Sequence, residues 1–310
     1  MRSSFYSRFF LRAAAFLASV ALLFNCALCE EGLGLAGPGQ PDIMEDIYAL
    51  PIDFSGGCEL DQNNFDGKTF YRDPTITVTL TSGRYSDCDW WAADIVIASP
   101  TQLRTVSSDG FDKAFPRAVK GTRLAKAVNA VLAVDGDYFH YTGKGFILRQ
   151  GTLYKNILDG STDVLLIDED GDFHVIARAR QGEVSDTVNG KKVINAMYFG
   201  PALVIDGEPV RGVSGANMAE EKGRQRMAIC QVGPLHYKCI CCAGPARGSS
   251  GMNLQVFTYF VADMGVKTAY NLDGGDSTML IFNGEKINDI YNSSSRDLVD
   301  IVYFASAWDE

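Results

Sequence analysis

The sequence predicts an α+β domain, a mixed, hairpin-rich sheet with a few packed helices, forming a single domain over residues 51–310. Three observations carry this. Short apolar segments alternate with the period of a strand. Asp-Gly and Asn-Gly pairs follow several of them and turn the chain back. One stretch alone shows an extended helical stripe.

Residues 76–80 (ITVTL) alternate β-branched and apolar side chains, and Ser82-Gly83 ends the run. Residues 94–98 (DIVIA) form a second strand, stopped by Pro100. Trp90 and Trp91 lie between them, read as packing against the sheet in preference to a sugar platform. Residues 123–128 (RLAKAV) predict a short helix, and residues 129–134 a buried strand running into Asp135. Residues 164–167 and 173–177 flank Asp168-Glu169-Asp170-Gly171, a hairpin with an Asp-Gly turn. Those acids lack the spacing and terminal glutamate of a calcium loop, so the turn is read as solvated. Residues 201–205 followed by Asp206-Gly207 make another arm, and Phe282-Asn283-Gly284-Glu285 a third. Over residues 252–264, Leu254, Phe257, Val261 and Met264 form one apolar stripe, with Gly265 placed to end the helix. There is no internal repeat and no second domain boundary.

The N-terminus reads as a signal peptide or N-terminal anchor over residues 1–29. Arg2, Arg8 and Arg12 precede an apolar run broken only by Ser19, and Ala27 and Cys29 place a cleavage before Glu30. The run is short for a membrane span. Residues 30–50 are rich in glycine, proline and acids and predict a flexible linker. The formal net charge is −10, and removing the leader's arginines makes it more acidic. Such a surface repels nucleic acid and anionic lipid, which leaves the membrane only through an N-terminal anchor. The exported part keeps Cys58, Cys88, Cys230, Cys239, Cys241 and Cys242, an even set that predicts disulfides. At least one is expected among Cys230, Cys239, Cys241 and Cys242. A zinc site at Cys239-Ile240-Cys241-Cys242 lacks the second separated pair that structural zinc requires.

Three segments place polar residues and glycine beside apolar runs: AVDGDYF (133–139), GRQRMAI (223–229) and NLDGGDSTM (271–279). In the last, an apolar run leads into Asp273. Gly274 and Gly275 permit positive φ and close approach to the backbone. Asp276, Ser277 and Thr278 then crowd a carboxylate and two hydroxyls at the bend, before a second apolar run. The local reading is strand, tight turn, strand.

The order of these segments resembles the phosphodiester glycosidase family, which includes a lysosomal enzyme that uncovers mannose phosphate tags and many exported bacterial proteins. AVDGDYF is similar to the family's strand ending in Asn-Gly-Gly-Tyr/Phe-Phe. FGPALVIDG (199–207) resembles its Gly-Pro-x-Leu hairpin, and RQRMAICQVG (224–233) its Pro-Arg-Thr-Ala-x-Gly strand. The helix leading to NLDGGDSTM resembles its helix before Asn-Leu-Asp-Gly-Gly-Gly-Ser. The resemblance covers roughly residues 124–304, and the last segment is the specific part. Asp135, Asp137, Met227 and Asp276 depart from the pattern, while Arg226 and Asp273 keep it. The added carboxylates can alter the substrate, take a divalent cation or mark a divergent branch. No cofactor is otherwise implied.

What the resemblance implies is hydrolysis of a sugar 1-phosphodiester on cell-surface or extracellular glycans, in an exported protein. The departing group is a phosphomonoester, and the transition state is oxocarbenium-like. Such a site needs carboxylates near the sugar and a cation or backbone N–H groups on the phosphate. Asp273 and Asp135 are the candidate carboxylates, and Arg226 is the candidate phosphate clamp. Gly136, Asn271, Gly274, Gly275, Asp276, Ser277 and Thr278 are the candidate substrate-binding residues. His140 is a candidate proton donor or an ordinary surface histidine. Two rivals stand beside this reading. One is a non-catalytic binding module for phosphorylated cell-wall polysaccharide. The other is a metal-dependent phosphodiesterase, which three scattered histidines serve poorly.

Overall fold

The computed structural model describes residues 48–213, 221–246, 248–289 and 295–309. The residues expected to form a leader and linker lie outside the described residues up to residue 47. Among the described residues every strand pairing is antiparallel, and two α-helices are present, Gly121–Ala127 and Leu254–Asp263. No helix among the described residues is long and apolar enough to cross a membrane.

Three sheets share one core. The largest has nine strands, with Ile76–Tyr85, Cys88–Ile97, His236–Cys242, Arg226–Gly233, Thr268–Asn271 and Ala202–Ile205 adjacent in that order. A five-stranded sheet runs Glu285–Lys286, Leu280–Phe282, Ala130–Asp135, Asp300–Ala305 and Leu103–Ser107. A six-stranded sheet is built around Val164–Asp168, Lys191–Met197 and Gly145–Arg149. Alternation assigns the faces. Val302 and Phe304 enter the central core with Leu132, Val134, Ile95, Ile167 and Met197. Ile301 and Tyr303 turn the other way, against Leu124 and Ala125 of the first helix. Each such buried side chain contributes about 1.5–3 kcal/mol of apolar transfer.

The second helix covers the outer face of the nine-stranded sheet. Asn253 caps it by accepting the Val256 amide, and Gly265 ends it at φ 72°. Leu254, Phe257 and Val261 pack there on Ala228, Cys230 and Ala269. Trp90 and Trp91 fall within the Cys88–Ile97 strand, half-buried against that same layer. The Asn283-Gly284 turn has both residues at positive φ, as a two-residue hairpin requires.

The acidic turn holds a cation of its own. Lys191 Nζ lies 2.7 Å from Asp170, 3.5 Å from Asp172 and 3.7 Å from Asp168. His174 is 2.8 Å from Asp168, and His236 is 2.7 Å from Asp94.

The six cysteines among the described residues are free thiols in this structure. The four expected to supply a disulfide do not meet one another. Cys239 and Cys241 face the central core, whereas Cys230 and Cys242 face the helix. In the ladder Cys230 stands opposite Lys238 and Cys242 opposite Arg226, so those two are separated along the strands.

Tyr270 ties the nine-stranded sheet to the six-stranded one just before the Asp273 turn. Its hydroxyl lies 2.7 Å from the Asp163 carbonyl and 3.1 Å from the Met197 carbonyl, and it accepts the Phe199 amide at 3.1 Å. Burial drives its phenol strongly toward the neutral form.

Candidate active site

The Asn271–Met279 segment is not a hairpin. Thr268–Asn271 belongs to the nine-stranded sheet and Leu280–Phe282 to the five-stranded one. The glycine turn carries the chain between them through a short 3-10 turn, Gly275–Ser277. This crossing brings Asp273 beside the end of Ala130–Asp135, because Leu280–Phe282 pairs with that strand. The Asp273 amide donates to the Gly136 carbonyl at 3.1 Å, and the Met279 amide donates to Asp135 Oδ1 at 2.8 Å.

Asp135, Gly136, Asp273 and Ser277 line one cleft together with Tyr138, Arg296 and Asp300. The AVDGDYF and NLDGGDSTM segments therefore converge, although far apart in sequence. Gly136 is required by the packing, since a Cβ there would lie 1.9 Å from Asp300 Oδ2. Gly274 is required as well, since its Cβ would lie 2.9 Å from the Gln225 carbonyl. The Gly275 amide donates to that carbonyl at 3.1 Å. Asn271 is buried in its strand and donates to the Gly200 and Leu272 carbonyls at 3.0 and 2.8 Å. Thr278 is buried beneath the turn. The Asp276 carbonyl accepts the Arg296 amide at 2.8 Å, which docks the C-terminal arm of the cleft on the turn.

Arg226 is placed elsewhere. It has the strand parity of Ala228 and Cys230, which face the helix. Its guanidinium donates to the Met252 carbonyl at 3.3 Å and to the Lys222 carbonyl at 3.1 Å. What Arg226 offers the site is backbone, close under Gly274. Among the described residues, the cation that lines the cleft is Arg296, whose guanidinium carbon lies 5.7 Å from the Tyr138 ring centroid.

Sequence reasoning missed Arg296 and also Asp300, Asp137 with its partner Arg149, and Tyr138. Asp300 opens an otherwise apolar strand, and its buried carboxylate accepts the Asp137 amide at 3.3 Å. Asp137, met only as a departure from the family pattern, makes a buried ion pair with Arg149 at 2.7 Å. Arg149 also donates to the Ala196 carbonyl, and Asp137 Oδ2 accepts the Tyr198 amide at 2.7 Å. Tyr138 holds φ 54°, a strained value for a bulky residue, and its ring stands between the cleft and a wider cavity of about 390 Å³. Tyr141, Lys144 and Tyr198 line that cavity. The signal available for Asp300 was an acid heading a run of apolar residues.

The electrostatics follow from burial. Asp135 is held well above the usual carboxylate range by burial and then by the Asp273 charge. Asp300 is raised in the same way, by burial and then by Asp137. Asp273 is also raised by burial, but Ser277, the Gly274 amide and Arg296 pull against it. The Ser277 hydroxyl draws Asp273 down without completing a hydrogen bond. All three carboxyls are thus pushed toward the neutral form, Asp273 less strongly than Asp135 and Asp300. Asp135 Oδ2, Asn271 Oδ1, Ser277 Oγ and Thr278 Oγ1 are buried with no hydrogen-bond partner. Such atoms are rare in folded proteins and call for an ordered water, a bound group or a catalytic role. His140 is pulled toward its neutral form by burial, with its ring against Tyr138 and Phe139. No group of three His, Cys, Asp or Glu side chains among the described residues is arranged to hold a metal ion.

The sequence profile described as phosphodiester glycosidase matches residues 128–305. Among solved structures, the catalytic domain of zebrafish N-acetylglucosamine-1-phosphodiester alpha-N-acetylglucosaminidase, auto-inhibited by its pro-peptide, is similar in fold. The TM-score is 0.60 at 17% identity, covering 81% of this chain and 87% of that one. A hypothetical protein from Synechocystis aligns at TM-score 0.48 and 14% identity, covering 74% and 62% of the two chains. A Burkholderia pseudomallei protein assigned as exported aligns at 0.45 and 11%, covering 70% and 74%. No curated protein matches the chain.

Two outcomes follow from the buried charges. Asp137→Asn leaves Arg149 without its counter-charge and lowers stability by about 3–5 kcal/mol, read from urea unfolding. Asp135→Asn acts in the opposite direction. A carboxyl whose folded pKa exceeds its unfolded value of 3.8 stabilises fully below that value, and the contribution is lost as pH rises through the folded pKa. The Asn variant therefore melts above the parent at neutral pH, and the gap closes as pH falls toward 4. A gap that widens on acidification would refute the assignment.

Proposed function

The chain belongs to the phosphodiester glycosidase family, and on that premise we propose that it hydrolyses a sugar 1-phosphodiester at the anomeric carbon, outside the cytosol, on cell-surface or extracellular glycans. The observation that carries this reading is one cleft in which Asp273 and Arg296 lie with Asp135 and Ser277, whose Oδ2 and Oγ are buried without a protein partner.

The substrate is itself an anion, so three ionised aspartates beside it would repel it. Burial resolves this. Asp135 and Asp300, held toward the protonated form, stop repelling phosphate, and Asp135 gains a proton to donate to a phosphate oxygen through its unpartnered Oδ2. Arg296 supplies the fixed positive charge, with the planar fork that suits two phosphate oxygens. The departing phosphomonoester needs little protonation to leave, so the main demand falls on the sugar. Asp273 meets it by stabilising the oxocarbenium-like centre or by activating water. The Gly274 amide, which donates to Asp273 Oδ1 at 2.8 Å, fixes that carboxylate in place.

Product analysis on a panel of synthetic sugar 1-phosphodiesters tests the reading. Free sugar plus phosphomonoester is expected. Sugar phosphate would mean P–O cleavage instead, and saturable binding without product would mean a binding module. Asp273→Asn keeps the shape and removes the charge, and it should lower kcat by about 100-fold or more with little change in melting temperature. Arg296→Lys keeps a charge without the fork, and it should raise KM and lower kcat/KM by about 10-fold or more. An Asp273→Asn protein that turns over at the parent rate removes Asp273 from the mechanism.

A further inference from the structure

Two of the six thiols meet. Cys88 opens the Cys88–Ile97 strand, and Cys242 closes the His236–Cys242 strand beside it. Cys242 stands opposite Trp90, and the Ala243 amide donates to the Asp89 carbonyl at 2.8 Å. Cys88 and Cys242 therefore flank that backbone bond diagonally, on one face of the sheet. Both are fully buried in the same cluster, in the layer beneath the Leu254–Asp263 helix. Cys88 Sγ also lies 3.3 Å from the Ala243 carbonyl and 3.6 Å from Ser249 Oγ. Cys242 Sγ lies 3.5 Å from the Arg224 carbonyl.

We propose that Cys88 and Cys242 form a disulfide when the chain folds in an oxidising compartment, while Cys58, Cys230, Cys239 and Cys241 stay as thiols. Geometry selects the pair. Cys239 and Cys241 lie on the opposite face, and Cys58 packs in a different cluster, with the first helix. Cys88 directly follows the Ser86-Asp87 turn, with φ 45° and 58°, so the strand start can adjust to disulfide spacing without disturbing a long ladder.

As a thiolate, one of the two cysteines attacks one sulfur of a disulfide donor such as oxidised glutathione and releases one glutathione thiolate. The other then loses its proton to solvent and attacks the protein sulfur of the mixed disulfide, releasing the second. The protein loses two electrons and the donor gains two. Since both sulfurs are enclosed in the folded protein, the exchange belongs to folding, before the strands close. The staple would fix the strand end that stands opposite Arg226 and touches Arg224, next to the Gln225 carbonyl that holds the Gly275 amide.

The test is to refold the full chain from denaturant in a glutathione redox buffer, block free thiols with N-ethylmaleimide and map peptides without reduction. One cross-linked pair carrying Cys88 and Cys242 is expected, with the other four exported cysteines alkylated. Adding dithiothreitol should lower Tm by about 5–10 °C. Cys88→Ser, Cys242→Ser and the double variant should each abolish that shift. Alkylation of both Cys88 and Cys242 after oxidative refolding, or a cystine joining either of them to any other cysteine, overturns the proposal. The peptide map of the unmodified sequence decides the question even where a serine variant fails to fold.

Discussion

The buried Asp137–Arg149 ion pair is the contact on which the rest of the cleft depends. Both side chains are fully removed from water, so each charge is tolerated only because the other is present. Through it the end of the Ala130–Asp135 strand is bound to the six-stranded sheet. Asp137 Oδ2 fixes the Tyr198 amide, and Arg149 reaches the Ala196 and Leu148 carbonyls and lies 5.2 Å from the Phe111 ring centroid. Asp300 receives the Asp137 amide on the opposite side. Through its carboxylate and its amide, Asp137 thus holds three segments from two sheets in register, and the strained backbone at Tyr138 persists because its neighbours are held on both sides.

The rest of the site is a matter of crossing between sheets. Asp273 and Asp135 leave different sheets and meet because the glycine turn hands the chain from one to the other. The turn is narrow enough that Gly274 sits on the Gln225 carbonyl and Gly136 on the Asp300 carboxylate. Substitution by any residue with a Cβ would force these backbones apart and separate the carboxyls. Close approach is also what desolvates them. The burial that raises Asp135 and Asp300 lowers the negative charge of the cleft within an acidic protein.

A second device recurs at the surface. In the Asp168–Asp172 turn, Lys191 occupies the space among three carboxylates. An acidic loop that looks like a cation site in one dimension is neutralised by a lysine from the neighbouring strand. His174 and His236 are likewise taken up by Asp168 and Asp94, structural pairs that keep the histidines out of the cleft.

The sequence by itself determined the α+β class, the hairpins at Asn283-Gly284 and Asp206-Gly207, and the helix carrying Leu254, Phe257 and Val261. These rest on local periodicity and turn chemistry, which act within a few residues. It also marked Asp135, Gly136, Asp273 and Ser277, because glycine beside acids at a strand end is a local pattern too. What it left open was sheet membership. The Asn271–Met279 segment reads as strand, turn, strand whether its two strands pair or part, and only long-range packing sends them to different sheets. The same limit hid Asp300, Arg296 and Arg149, whose partners lie far away along the chain. Arg226 shows the converse. Its alternation with Met227 and Ala228 was legible, but which face of the strand meets the helix and which meets the core was decided only when the Leu254–Asp263 helix closed over Ala228 and Cys230. Tertiary packing alone made that choice, because both faces of the strand are buried and hydrophobic pattern cannot rank them.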